Sequence, residues 1–263
     1  MVVRREKTNY TIQSVAHALD VLEQFTADAE ELGVTELSKR LKLHKNNVFR
    51  LLATLESRGY IEQNKATDNY RLGLRCLQLG QRFVAQMGLL RQARPAVAQL
   101  SKTAKETSYI AILRGPLTIP LDVVETEQAV RVTIRLGDPV PLHCTAVGKV
   151  HLAFGDEELR ASLPEALAKF TEKTISDRSV LSTQLKKASE NGYAVDLGEH
   201  MEDVRSVAAP VRDYTRLVVA AIAIAGPAYR LTQERIEKEM APQVVRAARD
   251  LSSRLGLEAE PGA

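Results

Sequence analysis

Val15, Leu19, Leu22 and Phe25 recur at helical spacing with polar Gln13, Asp20 and Glu23 between them, which predicts a first amphipathic helix. Gly33 punctuates the chain. Thr35 is expected to cap a second short helix by accepting from a first-turn amide, with Leu37 and Leu41 on its buried face. The stretch LKLHKN breaks that period. Val48, Leu51, Leu52 and Leu55 then stand at i, i+3, i+4 and i+7, marking a third helix that leaves Asn46, Asn47 and Arg50 off its buried stripe. Gly59 is placed to end it. Tyr60-Ile61 and Tyr70-Arg71-Leu72 flank the polar run NKATDN, a pattern that suits a short β-hairpin. Three helices followed by a hairpin is the order of a winged helix-turn-helix.

Leu74 to Met87 predicts a further helix, and Pro95 suits the first turn of another ending near Thr107. The texture then changes. Tyr109 to Leu113, Leu121 to Val124 and Val130 to Ile134 are β-rich runs separated by turn signals, opening a second, α+β domain. Thr145 to Phe154 and Val180 to Glu190 read as helices. Val204 to Val211 and Leu217 to Ala225 read as strands, and the nearly uncharged second of these belongs in the middle of a sheet. Arg235 to Leu255 is a closing amphipathic helix, and Leu257 to Ala263 a frayed tail. The expected division is 1–73 for the winged helix-turn-helix, 74–90 for a linking and dimerising helix, and 91–263 for the second domain.

With 44% apolar residues in 263, the chain can supply a core to each domain. A net charge of +3 is too small to bind nucleic acid by overall balance. The local distribution is different. Lys39, Arg40, Lys42, Lys45, Arg50 and Arg58 crowd the second and third helices, opposed mainly by Glu36 and Glu56. Such clustering is rewarded by phosphates through counterion release, while Asn and Arg near a helix start reach base edges. Asn46, Asn47 and Arg50 are the base-reading candidates and Lys45 holds phosphate; Thr35 and Lys65, the latter in the hairpin turn, complete the DNA-facing set. A solvated helix face would show a similar charge cluster. The basic helix, the three-helix spacing and the polar hairpin together favour DNA.

The segment GVTELSKRLKLHKNNVFRLLATLESRGYIEQNKATDNYRLG resembles the DNA-binding domain of the isocitrate lyase regulator (IclR) family, and the likeness continues through PLHCTAVGKVHLA, NGYAVD and VRSVAAPV. It spans Tyr10 to Gly256. The resemblance implies a winged helix-turn-helix, a linker helix, a GAF-like effector-binding domain, and homodimers or dimer-of-dimers tetramers that bind double-stranded operator DNA, with repression as the expected mode. Where many members carry Ser-Thr at the start of the recognition helix, this chain has Asn46-Asn47. By motif position the effector is expected to meet His143, Thr145, Ala146 and Val147, then Asp196, Val204, Ser206 and Ala223. The prototype regulator has serines where this chain has Ala223 and Ala225, so the pocket should be less polar. An aromatic or otherwise carbon-rich carboxylic acid then fits better than a small keto acid.

Each effector candidate has a plainer reading. Asp196 could cap a turn, Ser206 satisfy strand backbone, His143 order a loop, and Cys144 act as a small buried apolar residue. Two other classes stand as alternatives. A Cys-dependent enzyme would need Cys144 activated by a remote base such as His151 or His200, because adjacent His143 points to the opposite face of an extended segment. A metal-responsive regulator would need His143, Cys144, His151, Asp196, Glu199 and His200 gathered by folding, although no HxxxH, CxxC or HExxH spacing occurs. No Walker-type loop or dinucleotide fingerprint is present. The expectation is a regulator and not an enzyme, without cofactor or bound metal. Two widely spaced cysteines, Cys76 and Cys144, and the lack of an apolar leader or spanning stretch predict a cytoplasmic protein with no membrane contact.

Overall fold

The computed structural model describes residues 11–26, 28–86 and 88–258. The chain divides into two compact units, residues 1–86 and 87–263, so the division falls inside the segment expected to link the domains. The first unit runs α1 (Gln13–Glu23), α2 (Val34–Leu41), α3 (Lys45–Ser57), β1 (Ile61–Gln63), β2 (Tyr70–Leu72) and α4 (Leu74–Gln86). Val21, Leu37, Val48, Leu52, Leu55, Ile61 and Tyr70 form its core. Leu32 adds a bridge to the hairpin, exchanging two backbone hydrogen bonds of 2.9 Å with Tyr70. Gly59 has φ of +75° just beyond α3, a conformation that costs a residue with a Cβ and that turns the chain into β1.

Local signals were overridden at two places in this unit. Val15 and Leu19 are exposed, at 53% and 54%, because α1 turns Ala18, Val21 and Leu22 inward; Phe25 lies past its end. Thr35 is not a cap. Gly33 holds that position without a side-chain bond, and Thr35 lies exposed inside the first turn of α2.

The second unit runs α5 (Gly88–Ala104), β3 (Thr107–Arg114), β4 (Leu117–Val124), β5 (Val140–Pro141), α6 (Ala146–Phe154), α7 (Glu157–Ala161), α8 (Arg178–Asn191), β6 (Ala194–Asp196), β7 (Val204–Arg212), β8 (Val218–Pro227), α9 (Gln233–Arg235) and α10 (Ala241–Arg254). The strands form one antiparallel six-stranded sheet in the order β5-β4-β3-β8-β7-β6. β8 is interior, as its uncharged sequence requires. Its alternation sorts two layers: Ile222 and Ile224 join the core with α5 and α10, while Ala221, Ala223 and Ala225 join the core with α6.

Pro95 lies in the interior of α5, not in a first turn. Leu90, Ala93, Val97, Leu100 and Ala104 recur at spacings of three and four and bury one face, which offsets the roughly 3 kcal/mol that an interior proline costs. Val130 to Ile134 is not a strand. Val132 and Ile134 do turn inward, but the Val130 and Val132 carbonyls accept from the Arg230 guanidinium and the Thr107 hydroxyl in place of a ladder. The closing helix is interrupted by a π-helical stretch, Ile236–Met240, directly ahead of Pro242, whose missing N–H breaks the regular bonding pattern. The tail reading at Leu257 to Ala263 lies, from residue 259, outside the described residues.

α6 crosses closely over the segment before it. A Cβ on Gly148 would stand 2.3 Å from the Leu142 carbonyl oxygen and 2.4 Å from its Cα. Gly148→Ala is therefore expected to destabilise the second unit by about 1–3 kcal/mol in a denaturant titration, since backbone must move to admit the methyl. An unchanged midpoint would show that the crossing is looser.

Candidate DNA interface and effector site

α3 is N-capped by His44, whose Nδ1 accepts from the Asn46 amide at 3.3 Å. Successive residues turn by about 100° around a helix, so the buried stripe Val48, Leu52 and Leu55 points Asn46, Arg50 and Ala53 the opposite way. Lys45 and Asn47 are also exposed, on the two flanks. Asn47, Arg50 and Thr54 share a cleft of about 500 Å³ with Ser14 and His17 of α1. Arg40 pairs with Glu36 at 2.5 Å, whereas Lys39, Lys42, Lys45, Arg50 and Arg58 form no ion pair among the described residues. The outer surface of α2 and α3 therefore carries uncompensated positive charge.

The hairpin turn is tied down. Glu31 accepts from Asn64 Nδ2 at 2.8 Å and Thr67 Oγ1 at 3.0 Å, and these bonds hold its carboxyl below the usual range. Lys65 is exposed at the tip of that turn. Thr35, on α2, is exposed as well. The structure thus leaves all six DNA-facing candidates on the surface of one unit.

In the second unit strand register brings the effector candidates together. Asp196, Ser206, Ala225 and Thr107 form one row across β6, β7, β8 and β3; Ala194, Ala208, Ala223 and Tyr109 form the next. Paired residues share a face, and this face packs against Ala146 and Val147 of α6. Val204 lies on the same face, one step along β7, and is half-buried. Ser206, Asp196, Thr145, Ala146, Val147 and Ala223 are all buried.

Several of these side chains already have work. Thr145 caps α6, accepting from the Gly148 amide at 3.1 Å and donating to the Pro141 carbonyl at 2.6 Å. Asp196 Oδ1 accepts from the Gly198 and Glu199 amides at 3.0 and 2.7 Å, which closes a turn. His143 is bonded to the Ala168 carbonyl at 2.8 Å and lies tilted against the Phe170 ring, with centroids 6.0 Å apart, so it orders a loop. Three polar groups remain unengaged: the second Asp196 oxygen and the hydroxyls of Ser206 and Tyr109 make no hydrogen bond among the described residues. The first-turn amides of Ala146 and Val147, at the positive end of α6, add two donors without intrahelical acceptors.

Sequence reasoning missed Tyr109 and Lys149. Tyr109 was read only as a strand residue; it is 5% exposed and stands beside Ala223 in the register. Burial raises its phenol above the usual range, and the Asp196 charge acts the same way. Lys149 is fully buried on α6, donating to Gln184 Oε1 at 2.7 Å, the Val195 carbonyl at 3.2 Å and Glu199 Oε1 at 2.5 Å. A lysine in the run AVGKVHLAF, apolar but for Lys149 and His151, was the available signal, since a buried lysine must be paired.

Burial pushes the Cys144 thiol up to about 12, aided by the charges of Asp196 and Glu199, so it stays protonated at neutral pH. Burial likewise brings His151 down to about 4. The six groups weighed as metal ligands are not assembled: among the described residues no cluster of three or more His, Cys, Asp or Glu could hold a metal ion. No helix among the described residues is long and apolar enough to cross a membrane.

A basic helix presented by a winged helix-turn-helix, joined to an α+β unit with a buried polar row, defines a two-domain DNA-binding regulator. The helix-turn-helix model of the IclR family matches residues 14–65, and the model of the C-terminal domain of the bacterial transcriptional regulator IclR matches residues 81–253. The chain belongs to the IclR family of transcriptional regulators. It is 34% identical over 253 residues to the HTH-type transcriptional regulator XynR of Escherichia coli K12, covering 94% of this chain and 99% of that one. The E. coli K12 repressor AllR is 31% identical over 252 residues, 95% and 92% of the two chains. Among solved structures, a transcriptional regulator of Rhodococcus sp. RHA1 superposes with TM-score 0.84 at 27% identity, covering 94% of this chain and 99% of that one. An IclR homolog of Microbacterium hydrocarbonoxydans, complexed with 4-hydroxybenzoate, shares the fold at TM-score 0.82 and 22% identity over 92% and 99% of the chains.

Burial raises Asp196 to about 6 from an ordinary 3.8, with the Glu199 and Gly198 amides and Lys149 pulling the other way. The unfolded chain loses this proton near its ordinary value and the folded chain only near 6, so between them the folded state binds more protons. Stability should then fall as pH rises from about 4 to about 6, by an amount on the order of 2–3 kcal/mol. Thermal melts of wild type and Asp196→Asn across that window check this, with the variant expected to lose that component of the slope. Parallel slopes would remove the assignment.

Proposed function

We propose that the protein is an effector-controlled repressor that binds a nearly palindromic operator as a dimer or dimer of dimers, each α3 entering a major groove. The observation that carries this is the outward face of α3, where Asn46 and Arg50 stand exposed over a core-facing stripe and amid unpaired cations. Asn46, Asn47 and Arg50 read bases; Lys45, Thr35 and the wing residue Lys65 meet the phosphate backbone. The exposed stripe of Ile12, just ahead of α1, with Val15 and Leu19 on it offers the apolar surface that a two-fold contact needs. The protein acts where its operator is, in the cytoplasm.

The effector is a carboxylic acid with an apolar, aromatic or otherwise carbon-rich body in place of a compact keto acid. Its carboxylate meets the Ala146 and Val147 amides at the start of α6, and its body rests on Ala208, Ala223 and Ala225. Ser206, Tyr109 and the second Asp196 oxygen meet its polar substituents. Because these residues are buried, admitting a ligand must move the surrounding segments, and the ligand favours whichever subunit arrangement accommodates that movement. A fold relative bound to 4-hydroxybenzoate and a family relative named as a repressor are compatible with both halves of this reading.

Two measurements test it. Arg50→Ala should cost about 1–3 kcal/mol on a selected operator and little on random duplex, whereas Lys45→Ala should weaken both and lower the salt dependence by about one ion. Uniform weakening by Arg50→Ala in fluorescence anisotropy would reassign it to phosphate. A thermal-shift screen of the full-length protein should show melting temperatures rising with concentration for aromatic acids such as benzoate and 4-hydroxybenzoate. A response confined to pyruvate and glyoxylate would show that the alanine floor does not set the preference.

A further inference from the structure

Phe49 of α3 takes no part in the core of its unit and lines the same cleft as Asn47, Arg50 and Ala53. Phe49 is 57% exposed, the most exposed large apolar residue on that helix among the described residues. It stands off the buried stripe. At i+3 from Asn46 and i+4 before Ala53, with Arg50 adjacent, it completes an exposed diamond of Asn46, Phe49, Arg50 and Ala53. Two corners are hydrogen-bonding side chains suited to purine edges, and two are apolar. In the major groove the C5-methyl of thymine is the apolar group that projects from the base edges.

We propose that Phe49 is a specificity residue that seats its ring on a thymine C5-methyl beside the base read by Asn46 or Arg50, an inference that rests on α3 being the recognition helix. Charge selects this occupant. Lys45 and Arg50 flank Phe49 and form no ion pair among the described residues, so a second copy of the same face would be repelled while a polyanion is drawn in. Ala53 is small enough to let the helix approach the groove floor. Phe49 adds apolar contact where Asn46 and Arg50 supply directional bonds, so the three together would distinguish a thymine neighbour that hydrogen bonds alone leave unread.

The test begins with selection of a binding site from random duplex DNA by the full-length protein. Each thymine of the selected site is then replaced by deoxyuridine, which removes the methyl and leaves pairing intact, and Kd is measured for wild type, Phe49→Ala and Arg50→Ala. Wild type and Arg50→Ala should lose roughly four-fold affinity at one symmetric thymine position, from the loss of one buried methyl, and Phe49→Ala should lose none there. The proposal is overturned if wild type is indifferent to every replacement, if Phe49→Ala responds as wild type does, or if Phe49→Ala weakens selected and random duplex alike. Loss of dimer by Phe49→Ala in sedimentation would also overturn it, placing the ring in a subunit contact. Failure to select any preferred sequence would instead refute α3 as a base-reading helix. Phe49 is exposed, so Phe49→Ala should melt as the wild type does and be compared at equal folded fraction.

Discussion

The ammonium of Lys149 holds the second unit in its working shape. Buried on α6, it uses all three of its donors, on Gln184 of α8, the Val195 carbonyl of β6 and Glu199 just beyond β6. A single charge thereby fixes one helix against another, against a strand edge and against the turn that carries Asp196. Removing one partner from a buried pair leaves an uncompensated charge and costs about 3–5 kcal/mol, so the contact between these elements is costly to break. Thr171 and Thr174 reinforce the arrangement by donating to the Gly198 and Glu199 carbonyls at 2.8 and 2.6 Å.

Around that anchor the sheet divides its labour by side-chain size. Isoleucines on β8 fill the layer beneath α5 and α10, and alanines face α6. Small side chains let α6 lie close, which Gly148 also requires, and they leave the buried floor without hydroxyls at 223 and 225. The polar groups that remain come from the neighbouring strands: Ser206 and Asp196 in one row, Tyr109 in the next.

The first unit solves a different problem, presenting a charged helix without letting it drift. Val48, Leu52 and Leu55 hold α3 from below, the Leu32 to Tyr70 bridge secures the hairpin, and Glu31 clamps its turn. Positive charge is thereby left outward on a rigid support, a preorganised surface for a polyanion.

Local pattern was enough for α3 and β8: Val48, Leu52 and Leu55 write the buried face of α3 into nearby residues, and the uncharged run of β8 requires burial on both faces. The basic cluster was legible because it is contiguous in the chain, whereas the motifs around Cys144, Asp196 and Ser206 were singled out by the family resemblance. Contacts between distant segments were not legible. Thr107 and Arg230 take the carbonyls of 130 and 132 and so cancel a strand that the alternation there describes well. Burial against the sheet carries α5 through Pro95, and Lys149 finds Glu199 fifty residues away. Tyr109 joins the effector candidates through strand register alone. Spacing along a chain reports which residues share a face; which face meets which partner depends on packing between elements far apart in sequence, and that is settled when the sheet closes.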